Sequence, residues 1–235
     1  MRVGLFDSGI GGLTVLKELI NKYPLNQYVY YGDTLNLPYG SKTKEELFNL
    51  SSRIIKFLEN EKVDIIIIAC GTISSNIYEE LKQATSIPLY SIIEPTINYL
   101  KVRKYRNIAV LATSTTVNSG IFKKKLENVN VIEIECPLLV PLIESNDENK
   151  IETTVVDYLS KIDMKIDALV LGCTHYQLIE NIIKKHVHTE IINMGKILAN
   201  EINLEKKQSG IELYFSKVTI ELKENVNRIL NFKDK

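Results

Sequence analysis

Nine short runs of β-branched and other apolar residues recur along the chain of 235 residues, each separated from the next by a longer amphipathic segment. Runs this short and this apolar suit strands buried on both faces, as in a parallel sheet covered by crossover helices. The expected strands are Val3–Phe6, Gln27–Tyr31, Ile65–Ala69, Leu89–Ile92, Ile108–Leu111, Val131–Ile134, Ala168–Leu171, Glu190–Ile192 and Glu212–Phe215. The fold class this predicts is α/β. One helix start is explicit: Thr43-Lys44-Glu45-Glu46 has the form of a capping box, and Leu47, Leu50, Ile54 and Leu58 follow on helical spacing.

The chain also resembles itself. Val63-Asp64-Ile65-Ile66-Ile67-Ile68-Ala69-Cys70 aligns with Ile166-Asp167-Ala168-Leu169-Val170-Leu171-Gly172-Cys173 at an offset of 103 residues. Arg2 to Ser8 aligns with Asn107 to Thr113 at an offset of 105. Nearly equal offsets predict two related lobes, each a mainly parallel sheet flanked by helices, with a cleft between them. The expected boundaries are 1–97 for the first lobe, completed by 208–235, and 98–207 for the second.

Charge and composition narrow the function classes. Lys and Arg together number 29, as do Asp and Glu, so no general positive field draws the chain to nucleic acid or an anionic membrane. The longest apolar stretch, Ile65 to Cys70, is far below the ~20 residues of a membrane span. The start of the chain reads as a buried strand rather than a secretory signal, which leads to an expectation of a cytoplasmic protein. Three cysteines, Cys70, Cys136 and Cys173, lack the spacing of a disulfide framework or a zinc site and are expected to be free thiols.

Chemistry is expected at the carboxyl ends of the strands, where ligands sit in open parallel sheets. Cys70 and Cys173 both stand there, each ahead of an expected helix whose N-terminus would favour the thiolate. Facing each other across a cleft, such a pair fits two-base chemistry: one thiolate removes a proton from carbon and the opposite thiol returns one to the other face. Taken alone, either cysteine reads more readily as an inert core thiol. Asp7-Ser8-Gly9-Ile10-Gly11-Gly12-Leu13-Thr14 opens the first helix and, with Asp33 downstream, invites a dinucleotide-binding reading. Thr14 occupies the third glycine position of that fingerprint, so the loop is instead expected to bring backbone close to a small ligand, with Asp7 facing an ammonium group. The loop from Tyr31 to Lys42 reads by itself as a turn, Glu144 as a solvated carboxylate, and His175 as a ring able to tune the thiol two residues before it.

Together these residues resemble the cofactor-independent glutamate racemases of the aspartate/glutamate racemase superfamily. The resemblance is carried by Asp7 to Val15, Gly32-Asp33-Thr34 with Pro38-Tyr39-Gly40, Ala69-Cys70 with Thr72, Cys136-Pro137 with Glu144, and Gly172-Cys173-Thr174-His175-Tyr176. It implies that Cys70 and Cys173 are the acid/base thiols and that Asp7, Glu144 and His175 assist them. It implies that Ser8, Thr72, Thr113, Thr116 and Thr174, with the Pro38-Tyr39-Gly40-Ser41 loop, hold the amino acid. A homodimer with glutamate as substrate, no cofactor, and a supply of D-glutamate to peptidoglycan are further implications.

Gly71 departs from the family, whose members usually carry Asn there to hold the substrate α-carboxylate. A hydrogen bond to a charged group is worth about 1.5–3 kcal/mol. The expectation is that the Thr72 hydroxyl and nearby backbone N–H groups bind the carboxylate beside Gly71, and that Gly71→Asn lowers KM. Two other readings stand beside glutamate racemase. One is a racemase acting on aspartate, which would not need the Pro38-Tyr39-Gly40 loop. The other is a non-catalytic binding protein on the same fold, against which the retention of both thiols argues.

Overall fold

A computed structural model describes residues 1–205 and 208–230. The last five residues of the expected 208–235 segment lie outside this range. Among the described residues the strands are β1 (Arg2–Asp7), β2 (Gln27–Gly32), β3 (Ile65–Ile68), β4 (Leu89–Ser91), β5 (Asn107–Ala112), β6 (Asn130–Glu135), β7 (Ala168–Leu171), β8 (Glu190–Asn193) and β9 (Gly210–Phe215). Each lies within a residue or two of its expected position. They form two separate sheets, ordered β4-β3-β1-β2-β9 and β6-β5-β7-β8, in which every pairing is parallel.

The two sheets share one connectivity. In each, the first strand in chain order lies between the second and third, and the fourth pairs with the third. β1 pairs with β2 and β3 (Val3 opposite Tyr28 and Ile65), as β5 pairs with β6 and β7 (Ile108 opposite Val131 and Ala168). Cys70 follows β3 and Cys173 follows β7, so the self-alignment of the sequence corresponds to equivalent places in the two sheets.

Alternation along the strands partitions the core. Ile65 and Ile67 join one apolar cluster while Ile66 and Ile68 join another, the period of two expected of a strand covered on both faces. The first cluster also takes in Val3 and Leu5 from β1, Ile108 and Val110 from β5, and Ala168 and Val170 from β7. It is therefore shared by both sheets. Helices Gly12–Lys22 and Met194–Glu201 pack between them. The opposite faces are covered independently, with Phe6 and Ile66 in one outer cluster and Leu111 and Leu169 in the other.

Local signals account for several element starts. The Thr43 hydroxyl accepts from the Glu46 N–H at 3.2 Å and the Glu46 carboxylate accepts from the Thr43 N–H at 2.8 Å, which closes the capping box on helix Lys44–Asn60. The expected helix follows Cys70, whereas Cys173 is followed by a 3₁₀ segment rather than an α-helix. Cys70 precedes a helix of 6 residues, Gly71–Asn76, and Cys173 precedes a 3₁₀ segment, Thr174–Ile179. No helix among the described residues is long and apolar enough to cross a membrane.

Candidate active site

A cavity of about 180 Å³ opens where the strand ends of the two sheets meet. Cys70, Ser8 and Thr72 line it from the first sheet, and Cys173, Thr174, His175 and Thr113 from the second. The loop Pro38, Tyr39, Gly40 and Ser41 forms another wall. Asp7, Glu144, Gly71 and Thr116 are not among the lining residues; the first two and Thr116 connect to it through hydrogen bonds. Ser114, Pro137 and Val140 complete the wall. Pro137 belongs to the Cys136-Pro137 motif that carries the resemblance, whereas no sequence motif pointed to Ser114 or Val140.

On the first-sheet side, the Cys70 thiol lies 3.9 Å from the Ser8 hydroxyl. Burial pushes the Cys70 thiol up to about 12, with the Asp7 carboxyl adding to the shift and the backbone N–H of Ile73 opposing it. The expected thiolate is thus not favoured at Cys70, because desolvation outweighs what the short helix Gly71–Asn76 offers. Asp7 is fully buried at the end of β1, where its carboxylate accepts from the Gly9 N–H at 2.9 Å and the Thr174 hydroxyl at 3.1 Å. Burial raises its pKa, against the pull of His175 and of those two donors.

On the opposite side, His175 Nδ1 lies 3.8 Å from the Cys173 sulfur and Nε2 lies 2.6 Å from Glu144 Oε1. Burial disfavours a charged ring, but the contacts to Cys173 and Glu144 prevail and hold His175 well above its ordinary value. Glu144 is held below the usual carboxylate range: burial is opposed and outweighed by the hydrogen bond and charge of His175. An imidazolium–carboxylate pair follows. Glycines of the loop after β1 make room for it, since a Cβ on Gly9 would stand 2.6 Å from Glu144 Oε1 and one on Gly11 would strike His175 Nδ1.

Hydroxyls join the sheets across the cavity. Thr72 Oγ1 and Thr113 Oγ1 are 2.9 Å apart, Thr113 Oγ1 and Thr116 Oγ1 are 3.0 Å apart, and the Ser75 hydroxyl donates to Thr116 Oγ1 at 3.4 Å. Thr116 therefore stands behind Thr113. The Thr115 hydroxyl donates to the Gly40 carbonyl at 2.5 Å, tying the second sheet to the Pro38–Ser41 loop. Within that loop the Tyr39 hydroxyl donates to Asp33 Oδ2 at 2.5 Å, and the Asn36 amide donates to both Asp33 oxygens at 2.9 Å. Asp33, which had invited a dinucleotide reading, is thus engaged by Tyr39 and Asn36.

Gly71 stands apart from the other expected binding residues. It faces the second sheet rather than the cavity, and a Cβ built on it would stand 2.5 Å from the Gly172 carbonyl oxygen. Main chain thus stands against position 71, and a side chain there requires the neighbouring backbone to shift.

Residues 24–202 match the family described as Asp/Glu/Hydantoin racemase. The chain belongs to that family. The racemase match extends to whole-chain relatives: the glutamate racemase of Aquifex pyrophilus is 38% identical over 239 residues, covering 98% of this chain and 94% of the relative. Among solved structures, the glutamate racemase of Campylobacter jejuni superposes with a TM-score of 0.91 at 29% identity and covers all of both chains. The Francisella tularensis enzyme, solved in complex with D-glutamate, superposes with a TM-score of 0.89 at 29% identity, covering 99% of this chain and 94% of that one. The protein is a racemase, with the two-sheet architecture of these enzymes.

Proposed function

We propose that this racemase interconverts L- and D-glutamate by two-base proton transfer at Cα, with Cys70 and Cys173 as the two bases. The observation that carries the proposal is the shared cavity, into which equivalent strand ends of two sheets bring one thiol each. The names of the relatives and the D-glutamate bound to the Francisella tularensis enzyme support glutamate as the substrate.

In each direction a thiolate takes the Cα proton and the thiol on the opposite side gives one to the other face, so the intervening carbanion is reprotonated with inverted configuration. The Cys70 thiol, held protonated by burial, is ready to donate; removal of its proton requires the change in surroundings that substrate binding brings. His175, paired with Glu144, lies beside Cys173 to balance charge as that sulfur gains or loses its proton. Asp7 draws the substrate ammonium, while Ser8, Thr72, Thr113 and Thr174 and the Pro38–Ser41 loop engage the carboxylates. Thr116 orients Thr113. The reaction proceeds through these side chains without pyridoxal phosphate.

We further propose two lobes, 1–97 with 208–235 and 98–207, a homodimeric cytoplasmic enzyme, and a role in supplying D-glutamate for peptidoglycan. The test is racemisation of purified L- and D-glutamate and aspartate, followed by circular dichroism in light and heavy water. Glutamate should racemise and gain deuterium at Cα. Activity that depends on a bound cofactor, preference for aspartate, or product that keeps its original hydrogen would each refute the corresponding part.

A further inference from the structure

We propose that Tyr30 is a positioning residue for the second thiol: its hydroxyl holds the Gly9 carbonyl, turns the Gly9–Ile10 peptide so that its N–H meets Glu144, and through Glu144 sets His175 against Cys173. The inference rests on the reading of Cys173 as one of the two bases.

Tyr30 stands on β2 and is fully buried. Its hydroxyl donates to the Gly9 carbonyl at 2.6 Å. Burial, and after it the charge of Asp7, pushes this hydroxyl well above its ordinary value, so it keeps its proton and remains a donor. The carbonyl it holds belongs to the same peptide unit as the Ile10 N–H. A trans peptide is planar and points its C=O and N–H in opposite directions, so a hold on one aims the other. The Ile10 N–H donates to Glu144 Oε1 at 3.4 Å. That oxygen is also the one 2.6 Å from His175 Nε2, while His175 Nδ1 lies 3.8 Å from the Cys173 sulfur. One line of contacts thus runs from a strand of the first sheet to the thiol of the second.

The surrounding loop leaves this peptide little room to find another partner. The Gly9 N–H donates to the Asp7 carboxylate at 2.9 Å, so Gly9 is gripped on both sides. A Cβ on Gly12 would stand 2.8 Å from the Tyr30 hydroxyl oxygen, and one on Gly32 would stand 2.8 Å from the Gly9 oxygen. Hydroxyl and carbonyl therefore meet in a closed space. Removing the hydroxyl leaves the buried carbonyl without its donor and frees the peptide plane to turn. Glu144 then gives up one of the contacts that keep its pKa low, and His175 loses part of what holds it charged beside Cys173. Because this line ends at the sulfur and not at the groups expected to engage the carboxylates, the effect falls on kcat more than on KM.

The experiment compares wild type with Tyr30→Phe, which keeps the ring and its packing on Phe215, and with Tyr28→Phe. Tyr28 is the control: it is buried in the same cluster from the same strand, and its hydroxyl donates to the Tyr23 carbonyl at 2.8 Å, outside the site. The measurements are thermal melting, kcat and KM on L- and D-glutamate, and NMR titration of isotope-labelled His175, a ring faced by Cys173, Glu144 and the charge of Asp7. The expected result is cooperative melting in both variants, kcat lower by about 2- to 10-fold in Tyr30→Phe alone with KM changed less, and titration of His175 at lower pH than in wild type. In Glu144→Ala, which removes the acceptor, adding Tyr30→Phe should cost little more. Equal kcat losses in Tyr30→Phe and Tyr28→Phe, a loss confined to KM, an unmoved His175 titration, or losses that multiply in full with Glu144→Ala would overturn the proposal. Loss of cooperative melting in Tyr30→Phe would overturn it too, by making the hydroxyl a folding requirement. A wild-type protein inactive on glutamate would count against the preceding reading, whereas the His175 titration would still decide this one.

Discussion

His175 Nε2 lies 2.6 Å from Glu144 Oε1, and the contacts of the ring with Cys173 and then Glu144 raise its pKa in a setting where burial alone would lower it. Glu144 has its pKa lowered by folding, so its stabilising share is present above about pH 4.3 and is lost as pH falls through the lowered value. His175 has its pKa raised, so its share is fully present below about pH 6.5 and fades as pH climbs toward the raised value. Glu144→Gln should therefore destabilise by about 1.5–3 kcal/mol between those limits, and by less on either side. Urea melts of both proteins from acid to alkaline pH would show it; a gap that widens steadily with rising pH would contradict the pairing.

The thiols should differ sharply from the third cysteine. Cys70→Ser and Cys173→Ser should each lose about 100- to 10,000-fold in racemisation, because a hydroxyl is a far weaker acid than a thiol. Cys136 is buried away from the cavity, with its thiol 3.4 Å from the Ile134 carbonyl, a contact serine can keep. Cys136→Ser should retain most activity. Steady-state rates of the three folded variants decide this.

The wall formed by Pro38 to Ser41 is held from two sides, by Tyr39 on Asp33 and by Thr115 on Gly40. Tyr39→Phe and Thr115→Val each remove one donor and should each raise KM for glutamate, with a stability loss of about 0.5–1.5 kcal/mol. Unchanged KM in both variants would show that the loop needs neither tie.

Thr72 and Thr113 share a hydrogen bond but should fail differently. Thr113 also accepts from the Thr116 N–H at 3.4 Å as the cap of helix Ser114–Ser119, so Thr113→Ala should cost about 0.5–2 kcal/mol of stability besides activity. Thr72→Ala lacks that second role. It should lower kcat/KM by the equivalent of about 1–3 kcal/mol with little change in melting temperature, and Thr72→Ser should recover most of the loss. Equal melting losses in the two alanine variants would refute the distinction.

Much of the architecture was legible because strand burial writes itself into short sequences: Ile65 to Ile68 could hardly be anything but a strand covered on both faces. The matched positions of Cys70 and Cys173 were legible for a related reason, since repeated connectivity leaves repeated sequence. Two-body contacts across the cleft left no such trace. Nothing local to Gly71 announces the Gly172 carbonyl, and nothing local to Thr115 announces Gly40, because each contact joins residues far apart in sequence. The thiol environment was misjudged for a physical reason as well. A position ahead of a helix suggested a favoured thiolate, whereas the depth of the cavity, which no motif encodes, raises Cys70 instead.

That raised thiol makes the most demanding prediction. Cys70 is pushed from an ordinary 9.0 to about 12, first by burial and then by the charge of Asp7. A thiol whose pKa rises on folding contributes stability that is fully present below the unfolded value, so wild type should weaken as pH climbs from about 9 toward 12. Asp7→Asn removes the charge and leaves burial nearly unchanged, which should bring Cys70 part of the way down. Its alkylation by iodoacetamide at pH 9 should then quicken, by roughly tenfold for each unit by which the Cys70 pKa falls, while Cys136 is unaffected. Racemisation should fall in the same variant, because the carboxylate that opposes the Cys70 thiolate is also the group expected to attract the substrate ammonium. Peptide mapping of the alkylated protein beside the racemisation rate separates the two effects. Alkylation of Cys70 no faster than in wild type would mean that Asp7 does not act on this sulfur through its charge, and burial alone would then account for its high pKa.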